Sequence, residues 1–207
     1  MSKVFFSVTM SLDGFIAPEW RSDQQWMGQW SQLQSYVLKQ KFFRENLKLG
    51  EGGETGADNR ILQETFQRTG TTILGKRMFD AGERMWPEDA PFHTPVFVVT
   101  HQKREPWVRK GGTTFHFVND GIESALRQAR EVAGDKDIRI GGGAALIQQY
   151  LSAGLVDECH VALAPVLLHE GIRLFDKIDA SKKLSLSIIE TPHSSNVTHL
   201  RYALKAS

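Results

Sequence analysis

Short apolar runs recur along the chain, and stretches with helical spacing of apolar residues separate them. The runs are five to seven residues long and rich in β-branched and aromatic side chains, which is typical of buried strands. We expect strands at residues 4–10, 71–75, 96–100, 114–118 and 137–142.

Two amphipathic helices are predicted around the last of these strands. The first covers residues 120–134, with Gly134 as its C-cap, and the second follows residue 142 and ends at Gly154. Strands that alternate with helices favour a largely parallel sheet covered on both faces. The apolar helix faces consist of Ile122, Ala125, Leu126, Ala129 and Val132 in the first helix and of Leu146, Ile147, Tyr150 and Leu151 in the second.

The C-terminal residues of the chain have a different pattern. Residues 183–190 and 196–204 alternate apolar and polar side chains, and a turn-forming segment separates them. This alternation predicts an antiparallel hairpin with one wetter face. Nearer the N-terminus, residues 20–50 are predicted to be helical in part, and the glycine-rich, acidic residues 50–59 to form a mobile loop.

Composition is that of an ordinary globular protein. The chain has 207 residues, of which 41% are hydrophobic and 24% are charged, and its net charge is +1. A single domain, residues 1–207, can bury a sizeable core at this length. The balanced charge argues against a general nucleic-acid binder, and the apolar runs are far shorter than the roughly 20 residues that cross a bilayer.

The cysteine and histidine residues indicate the cellular compartment and argue against a metal site. The single Cys159 excludes an intrachain disulfide and fits a reducing compartment, and the first residues make a poor signal peptide, so we expect a cytoplasmic protein. The seven histidines show no metal-ligand spacing, so no metal is expected.

Three consecutive glycines, Gly141, Gly142 and Gly143, lie between a predicted strand and a predicted helix. Glycine lets the backbone approach a ligand closely, and a helix N-terminus attracts anions. The Rossmann fingerprint does not fit, because Leu146 replaces its last small residue and no acidic ribose ligand follows. A tight turn is the alternative, but a turn does not need three glycines. We therefore favour a pyrophosphate site on a different fold.

A second strand ends at Gly75 and is followed by Lys76 and Arg77. Residues 70–76 match the G-x-x-x-x-G-K part of a P-loop, but Arg77 replaces the Ser or Thr that binds magnesium, which excludes a nucleoside triphosphatase. Residues 76–85 are predicted to be helical. The two cations would then lie at a helix N-terminus, where a bound phosphate would offset their repulsion from the dipole.

The strand at 96–100 also ends in polar and cationic residues. Thr100, His101, Lys103 and Arg104 either form a solvated turn or line a pocket for an extra phosphate ester. Three strand ends of phosphate-binding character in one sheet suggest a phosphorylated dinucleotide, so NADPH fits better than NADH.

Asp13 is the candidate acid–base residue. With Gly14 it forms a turn signal, and turn formation is the default interpretation of such a pair. A carboxylate beside the apolar Phe15 and Ile16 could instead have a raised pKa and serve a proton-transfer step.

Six segments of the chain together resemble the reductase domain of the bacterial riboflavin-biosynthesis deaminase/reductase, and stand-alone proteins like it. They are SLDGFIA, GKRMFD, PVFVVTHQ, IGGGAALIQQYL, LVDE and APVLLHEGIRLF. The resemblance extends from Val4 to the final hairpin. It implies the α/β fold of dihydrofolate reductase, with a mostly parallel central sheet, helices on both faces and a C-terminal antiparallel hairpin. It also implies NADPH as cofactor and a homodimer.

The resemblance further implies roles for individual residues. The phosphates of the cofactor would contact Gly75, Lys76 and Arg77, and its adenosine side would contact Thr100, His101 and Lys103 or Arg104. The pyrophosphate and nicotinamide would pass along Gly141, Gly142, Gly143 and Ala144. Thr9 and Ala17 would border the nicotinamide. The substrate would lie beside Asp13, Phe15 and Arg173.

One segment departs from the family pattern. Riboflavin-pathway reductases follow SLDG with a polar, often basic residue and a Ser-rich stretch, whereas Phe15 and PEWRSDQQW stand here. The predicted activity is NADPH-dependent hydride transfer to a C=N or C=O centre of a small heterocycle, as in reduction of 5-amino-6-(5-phosphoribosylamino)uracil. A dihydrofolate or pterin reductase and a non-catalytic NADP-binding module are the alternatives.

Overall fold

One large sheet organises the molecule. The computed structural model describes residues 2–19, 21–179, 181, 184–192 and 194–206. Within these residues, nine strands form a sheet in the order β10-β11-β8-β1-β7-β3-β4-β6-β5, and β2 and β9 form a small second sheet. The strands are β1 (Val4–Ser11), β2 (Phe15–Ala17), β3 (Thr69–Gly75), β4 (Pro95–Val99), β5 (Trp107–Val108), β6 (Thr114–Val118), β7 (Asp137–Gly142), β8 (Glu158–Ala164), β9 (Ile172–Arg173), β10 (Leu184–Glu190) and β11 (Thr198–Ala206).

Seven helices connect these strands in the described part of the chain. None of them is long and apolar enough to cross a lipid bilayer. The helices are α1 (Asp23–Leu33), α2 (Ser35–Lys39), α3 (Lys41–Asn46), α4 (Ala57–Arg68), α5 (Lys76–Glu83), α6 (Ile122–Ala133) and α7 (Ala144–Ser152).

The six central strands, from β8 to β6, are all parallel to one another. Their carboxyl ends therefore meet at one edge of the sheet, where Leu74 pairs with Gly142 and Gly75 with Val99. The C-terminal β10 and β11 add an antiparallel hairpin. The predicted α/β architecture is confirmed.

Helices cover both faces of the sheet. On one face, α6 and α7 pack on the largest core cluster, which includes Ile138, Ile140 and Tyr150. On the other face, α1 and α2 pack with Ala162 and Ala164 of β8. Further along that face, α5 places Phe79 in a separate cluster beneath β3, β4 and β6.

Two details of the sequence prediction are wrong. Val132 is 49% exposed, and Ala133 takes the inward position at the end of α6, because the helix turns through 100° per residue and the predicted stripe drifts off the buried face. In β10 both faces are largely exposed, since no strand or helix among the described residues covers this edge. Lys183 of the predicted hairpin lies outside those residues.

The loop predicted at residues 50–59 ends earlier in the structure, at residue 56. Residues 57–59 instead form the first turn of α4, and Asp58 is buried. The backbone of Glu54 hydrogen-bonds to that of Lys39 and Lys41, each at 2.9 Å. These two bonds tie the segment to α2 and α3. Asp58 is held separately by Ser194, Asn196 and His199, which lie far away in sequence.

Candidate cofactor and substrate site

The neighbouring strands β1 and β7 mark a switch in the direction of the chain. From β1 the chain passes through α1 to α4 and continues at β3, beyond β7. From β7 it passes through α7 to β8, beyond β1. In open parallel sheets, ligands bind in the crevice outside the carboxyl ends of two such strands. Topology alone therefore places a candidate site between Ser11 and Gly142.

Of the three consecutive glycines, Gly142 and Gly143 lie in this crevice, whereas Gly141 packs against β3, since a Cβ there would lie 2.7 Å from the Leu74 side chain. Gly142 has a φ of +112° and its peptide bond to Gly143 is cis. A Cβ at either residue would meet no other atom within 4 Å, so the backbone faces open space. A Cβ at Gly75 would lie 3.7 Å from the Gly142 carbonyl oxygen. We call Gly75, Gly142 and Gly143 the glycine cradle.

Two helices begin at the glycine cradle. Gly143 is the N-cap of α7 and Gly75 is the N-cap of α5, and neither has a side chain that could accept the first helical N–H groups. Such N–H groups bind an anion readily, and the helix dipole adds to the attraction. The cradle thus fits the pyrophosphate of a dinucleotide. Ala144 contributes backbone only, since its side chain is buried.

The cations at the start of α5 divide into two kinds. Lys76 Nζ lies 2.5 Å from Asp80 Oδ1, one helical turn further on, so a carboxylate of the same helix already neutralises it. Arg77 is exposed and has no ion pair among the described residues. The predicted repulsion at this helix end is therefore relieved in part by Asp80, and Arg77 is the cation that remains free for a phosphate.

The segment after β4 also contains one cation paired with a carboxylate and one that is exposed. Arg104 pairs with Glu83 at 2.9 Å and stacks 4.5 Å from the centroid of the Phe117 ring. His101 and Lys103 are exposed. Thr100 is buried, and its hydroxyl accepts a hydrogen bond from the Gln102 N–H at 3.0 Å.

Asp13 fastens one loop of the site. Its carboxylate accepts hydrogen bonds from the Ser11 hydroxyl (2.6 Å) and from the N–H groups of Leu168 (3.2 Å) and His169 (2.7 Å). Partial burial acts to raise the pKa of Asp13, but these hydrogen bonds outweigh it and lower the pKa to about 2. The raised pKa expected from the sequence is wrong, because the neighbouring backbone, rather than Phe15 and Ile16, surrounds the carboxylate.

The three predicted substrate residues come together. Arg173 Nη1 donates to the backbone carbonyl of Asp13 at 3.0 Å, and its guanidinium carbon lies 4.3 Å from the centroid of the Phe15 ring. Phe15 and Arg173 are paired in the small β2–β9 sheet, which also contains Ala17. Arg173 is exposed, so its remaining N–H groups are available to a ligand.

Thr9 lies on the floor of the crevice. Its side chain is buried, and its hydroxyl donates to Gln34 Oε1 at 3.0 Å. It also hydrogen-bonds to the hydroxyl of Tyr36, whose pKa burial raises to about 12. Thr9 therefore connects β1 to α2, and Gln34 and Tyr36 are polar residues at this position that the sequence did not single out.

A chain of buried hydrogen bonds was also missed by sequence reasoning. Ser7 Oγ lies 2.8 Å from His160 Nδ1, His160 Nε2 lies 2.8 Å from His199 Nδ1, and His199 Nε2 lies 2.7 Å from Asp58 Oδ1. We call these four residues the histidine chain. Ser7, His160 and His199 are polar positions inside apolar strands, which is a weak signal of an interior network.

The electrostatics of the histidine chain follow from its burial. Burial lowers the pKa of His160 to about 3, with smaller contributions in the same direction from His199, Arg201 and Arg139. Burial acts to raise the pKa of Asp58, but hydrogen bonds from Ser194, Asn196 and His199 reverse this and lower it. Asp58 is therefore an ionised carboxylate that only accepts hydrogen bonds, and the His160 ring is neutral.

Comparison with known proteins identifies relatives of this arrangement. The family model described as the RibD C-terminal domain matches residues 2–200. A Shewanella sp. PV-4 protein, described as a candidate riboflavin biosynthesis protein, has a similar structure, with a TM-score of 0.68, 22% identity and 99% coverage of both chains.

Two further solved structures share the fold. The Thermotoga maritima diaminohydroxyphosphoribosylaminopyrimidine deaminase/5-amino-6-(5-phosphoribosylamino)uracil reductase gives a TM-score of 0.60 at 12% identity; it is covered over 57% of its length, whereas this chain is covered over 100%. Enterococcus faecalis dihydrofolate reductase, complexed with NADP(H) and RAB-propyl, gives a TM-score of 0.51 at 15% identity, with coverage of 99% of this chain and 96% of that chain. The predicted likeness to dihydrofolate reductase is confirmed.

Proposed function

Because this chain belongs to the RibD C-terminal domain family, we propose that it is an NADPH-dependent reductase that transfers hydride to a C=N or C=O centre of a small heterocycle. The observation that carries the proposal is the glycine cradle. Open glycine backbone and two uncapped helix N-termini meet at a topological switch point, which is where a dinucleotide pyrophosphate binds best.

Cofactor selection depends on the free cations of the rim. Arg77 and Lys103 are exposed, whereas Lys76 and Arg104 are neutralised by Asp80 and Glu83. A 2′-phosphate beside the adenosine would be attracted to Lys103 and His101, and the pyrophosphate to Arg77. This charge distribution supports NADPH over NADH.

The bound nicotinamide would supply the hydride. Thr9 and Ala17 would border its ring, and Phe15 and Arg173 would hold the substrate against it. Asp13 is ionised at neutral pH, so it orients the loop at residues 166–170 and accepts hydrogen bonds, whereas water supplies the proton.

The Thermotoga maritima relative suggests the substrate class. Its described reaction reduces a phosphoribosylamino-uracil, and we propose an aminopyrimidine of this kind as the first substrate to test. The likeness to dihydrofolate reductase makes dihydrofolate the second. A non-catalytic module would bind NADPH and reduce neither.

Calorimetry and absorbance test the proposal directly. We expect NADPH to bind at least tenfold more tightly than NADH, and absorbance of NADPH at the nicotinamide band to fall when the aminopyrimidine is added. Equal affinities would contradict the assigned phosphate site, and no binding of either nucleotide would overturn the reductase assignment.

A further inference from the structure

Trp30 of α1 has a different environment from the tryptophans that pack in the core. Trp86 and Trp107 pack on the cluster beneath β3, β4 and β6. Trp30 belongs to none of the three core clusters formed by the described residues. Its ring stacks on that of Trp26, one helical turn away, with 6.0 Å between the centroids and 14° between the planes. Trp30 is half-buried, so part of its surface remains accessible.

Trp30 lies on the side of α1 that faces the protein. Leu33, three residues further on, is fully buried and packs in one cluster with Phe15, a predicted substrate residue. Residues three apart share a helix face, so Trp30 projects from the same side of α1 as Leu33. Since Leu33 is covered and Trp30 is covered only in part, the inward face of α1 becomes accessible at Trp30.

Gln34 relates the position of Trp30 to the crevice. It is the C-cap of α1, its N–H donates to the Trp30 carbonyl at 2.9 Å, and its side chain accepts from Thr9 on the crevice floor at 3.0 Å. α1 also contacts β2, which follows the carboxyl end of β1, so the earlier turns of α1 lie toward that end. Four helical residues rise about 6 Å, and the two strand residues from Thr9 to Ser11 span about 7 Å. Trp30 is therefore level with the end of β1, at the mouth of the crevice.

α1 and the glycine cradle lie on opposite sides of β1. Leu33 packs with Ala162 and Ala164 of β8, whereas the cradle belongs to β3 and β7. A dinucleotide in the cradle would leave the space beside Trp30 open, and the proposed nicotinamide position next to Thr9 lies between the two. A ring that stacks on Trp30 would thus lie beside the nicotinamide, where hydride transfer requires the substrate.

The hydrogen bonds at the crevice floor fix which end of the Gln34 amide a ligand meets. Burial raises the pKa of Tyr36 to about 12, so its hydroxyl keeps its proton and donates it to Thr9. The Thr9 hydroxyl then donates its own proton to Gln34 Oε1. Gln34 is half-buried, and its NH₂ group has no acceptor among the described residues. The amide therefore offers donors rather than an acceptor.

We propose that Trp30 and Gln34 form the outer wall of the substrate pocket, where the Trp30 ring stacks on a planar heterocycle and the Gln34 NH₂ group donates to a ring carbonyl oxygen of that heterocycle. An indole face stacks well on flat rings, and a donor fixed in a pocket selects for an acceptor. The role of this heterocycle as substrate rests on the proposed function, whereas its binding does not.

Calorimetry with 1,3-dimethyllumazine tests the wall. This probe is a planar bicyclic heterocycle with two ring carbonyl groups and no N–H group, so it only accepts hydrogen bonds. It is titrated into the protein alone and into the protein saturated with NADP⁺, which occupies the cradle and cannot reduce the probe. We expect saturable binding in both series. Competition by NADP⁺ would place the probe in the cofactor site and overturn the proposal.

Two substitutions assign the binding to these residues. Trp30→Leu removes the aromatic face and should weaken probe binding about fivefold or more. Gln34→Glu keeps an acceptor for Thr9 but loses both donors, and should weaken binding by a similar factor of about five or more. The matched controls are Trp107→Leu, a half-buried tryptophan of β5, and Gln24→Glu, an exposed glutamine of α1. Both should bind the probe as the wild type does.

Three outcomes overturn the wall: no probe binding by the wild type, unchanged binding by Trp30→Leu, or unchanged binding by Gln34→Glu. If Trp30→Leu does not fold, tryptophan fluorescence of Trp30→Phe replaces it. The probe should then quench less fluorescence than in the wild type, and equal quenching again overturns the proposal. NADPH calorimetry on the same samples separates the two assignments, since loss of NADPH binding contradicts the reductase and leaves the probe result standing.

Discussion

Single residues in the crevice determine how closely a ligand can approach. Gly143 has a φ of −79°, which any residue can adopt, and open space where a side chain would lie. Gly143 is therefore important because it leaves space for a ligand where a side chain would lie, and not because of an unusual backbone conformation.

Gly143→Ala should weaken NADPH binding by about tenfold or more, because the added methyl group would occupy the position of the pyrophosphate. Gly56→Ala is a matched control: Gly56 is also a helix N-cap, with a φ of −72° and no atom within 4 Å of an added Cβ. Calorimetry on both variants decides the matter, and equal effects would argue against a phosphate at the cradle.

Asp13 is important for a different reason, since three donors converge on its carboxylate. Asp13→Asn replaces one acceptor oxygen by an NH₂ group that faces an N–H, and we expect the free energy of unfolding to fall by about 1–3 kcal/mol. Affinity for NADPH should stay unchanged, because Asp13 contacts the loop at residues 166–170 and not the cradle.

Urea unfolding and NADPH titration of Asp13→Asn check this expectation, with the exposed Asp135→Asn as control. In the wild type, the contribution of Asp13 to the free energy of unfolding should persist down to pH 4 and disappear as the pH approaches 2. The reason is that a carboxylate with a lowered pKa stabilises the fold only while it is ionised. Unchanged stability of the variant would mean that the loop does not depend on this carboxylate.

Among the elements, α5 and the segment after β4 divide their cations between structure and ligand. Asp80 and Glu83, both on α5, neutralise Lys76 and Arg104. The sequence shows four cations at this rim but cannot show which of them already have carboxylate partners. Pairing one helical turn apart, as between Lys76 and Asp80, is visible in a sequence; the pairing of Glu83 with Arg104 across 21 residues is not.

Lys103→Ala should therefore weaken NADPH binding several-fold and leave NADH binding unchanged, because only NADPH carries the 2′-phosphate. Lys136→Ala removes an exposed cation from the opposite edge of the sheet and should alter neither affinity. A parallel loss of NADH binding in Lys103→Ala would place Lys103 beside the pyrophosphate instead.

At the scale of the whole molecule, the histidine chain couples folding to pH. Ser7, His160, His199 and Asp58 come from β1, β8, β11 and α4, so the chain exists only when the sheet and its helical cover are assembled. His160 has a pKa of about 3 in the fold, whereas an unfolded histidine titrates near 6.5.

Below pH 6.5 the unfolded chain binds a proton that folded His160 does not, so stability must fall with pH. From pH 7 to pH 5 this single group should cost about 2 kcal/mol. Urea unfolding at both values measures the loss, and it should be smaller in His160→Gln. Histidine NMR of the wild type gives an independent check, since the His160 ring should not titrate between pH 8 and pH 5.

The sequence by itself determined the central strands, the helices α6 and α7, and the two glycine sites at strand ends. These features depend on local periodicity and on the absence of side chains, both of which are read along the chain. The family resemblance, rather than any local pattern, named Phe15, Asp13 and Arg173 together, and they do meet in the fold although they are far apart along the chain.

Tertiary structure decided the rest. The ionised state of Asp13, the neutral His160 and the compensated Arg104 all depend on burial and on partners brought from other elements. The formal charge of a side chain can be read from the sequence. The free energy of that charge in the fold depends on the solvent that the group loses and on the hydrogen-bond donors and acceptors that it gains. Both are fixed only when the strands and helices pack.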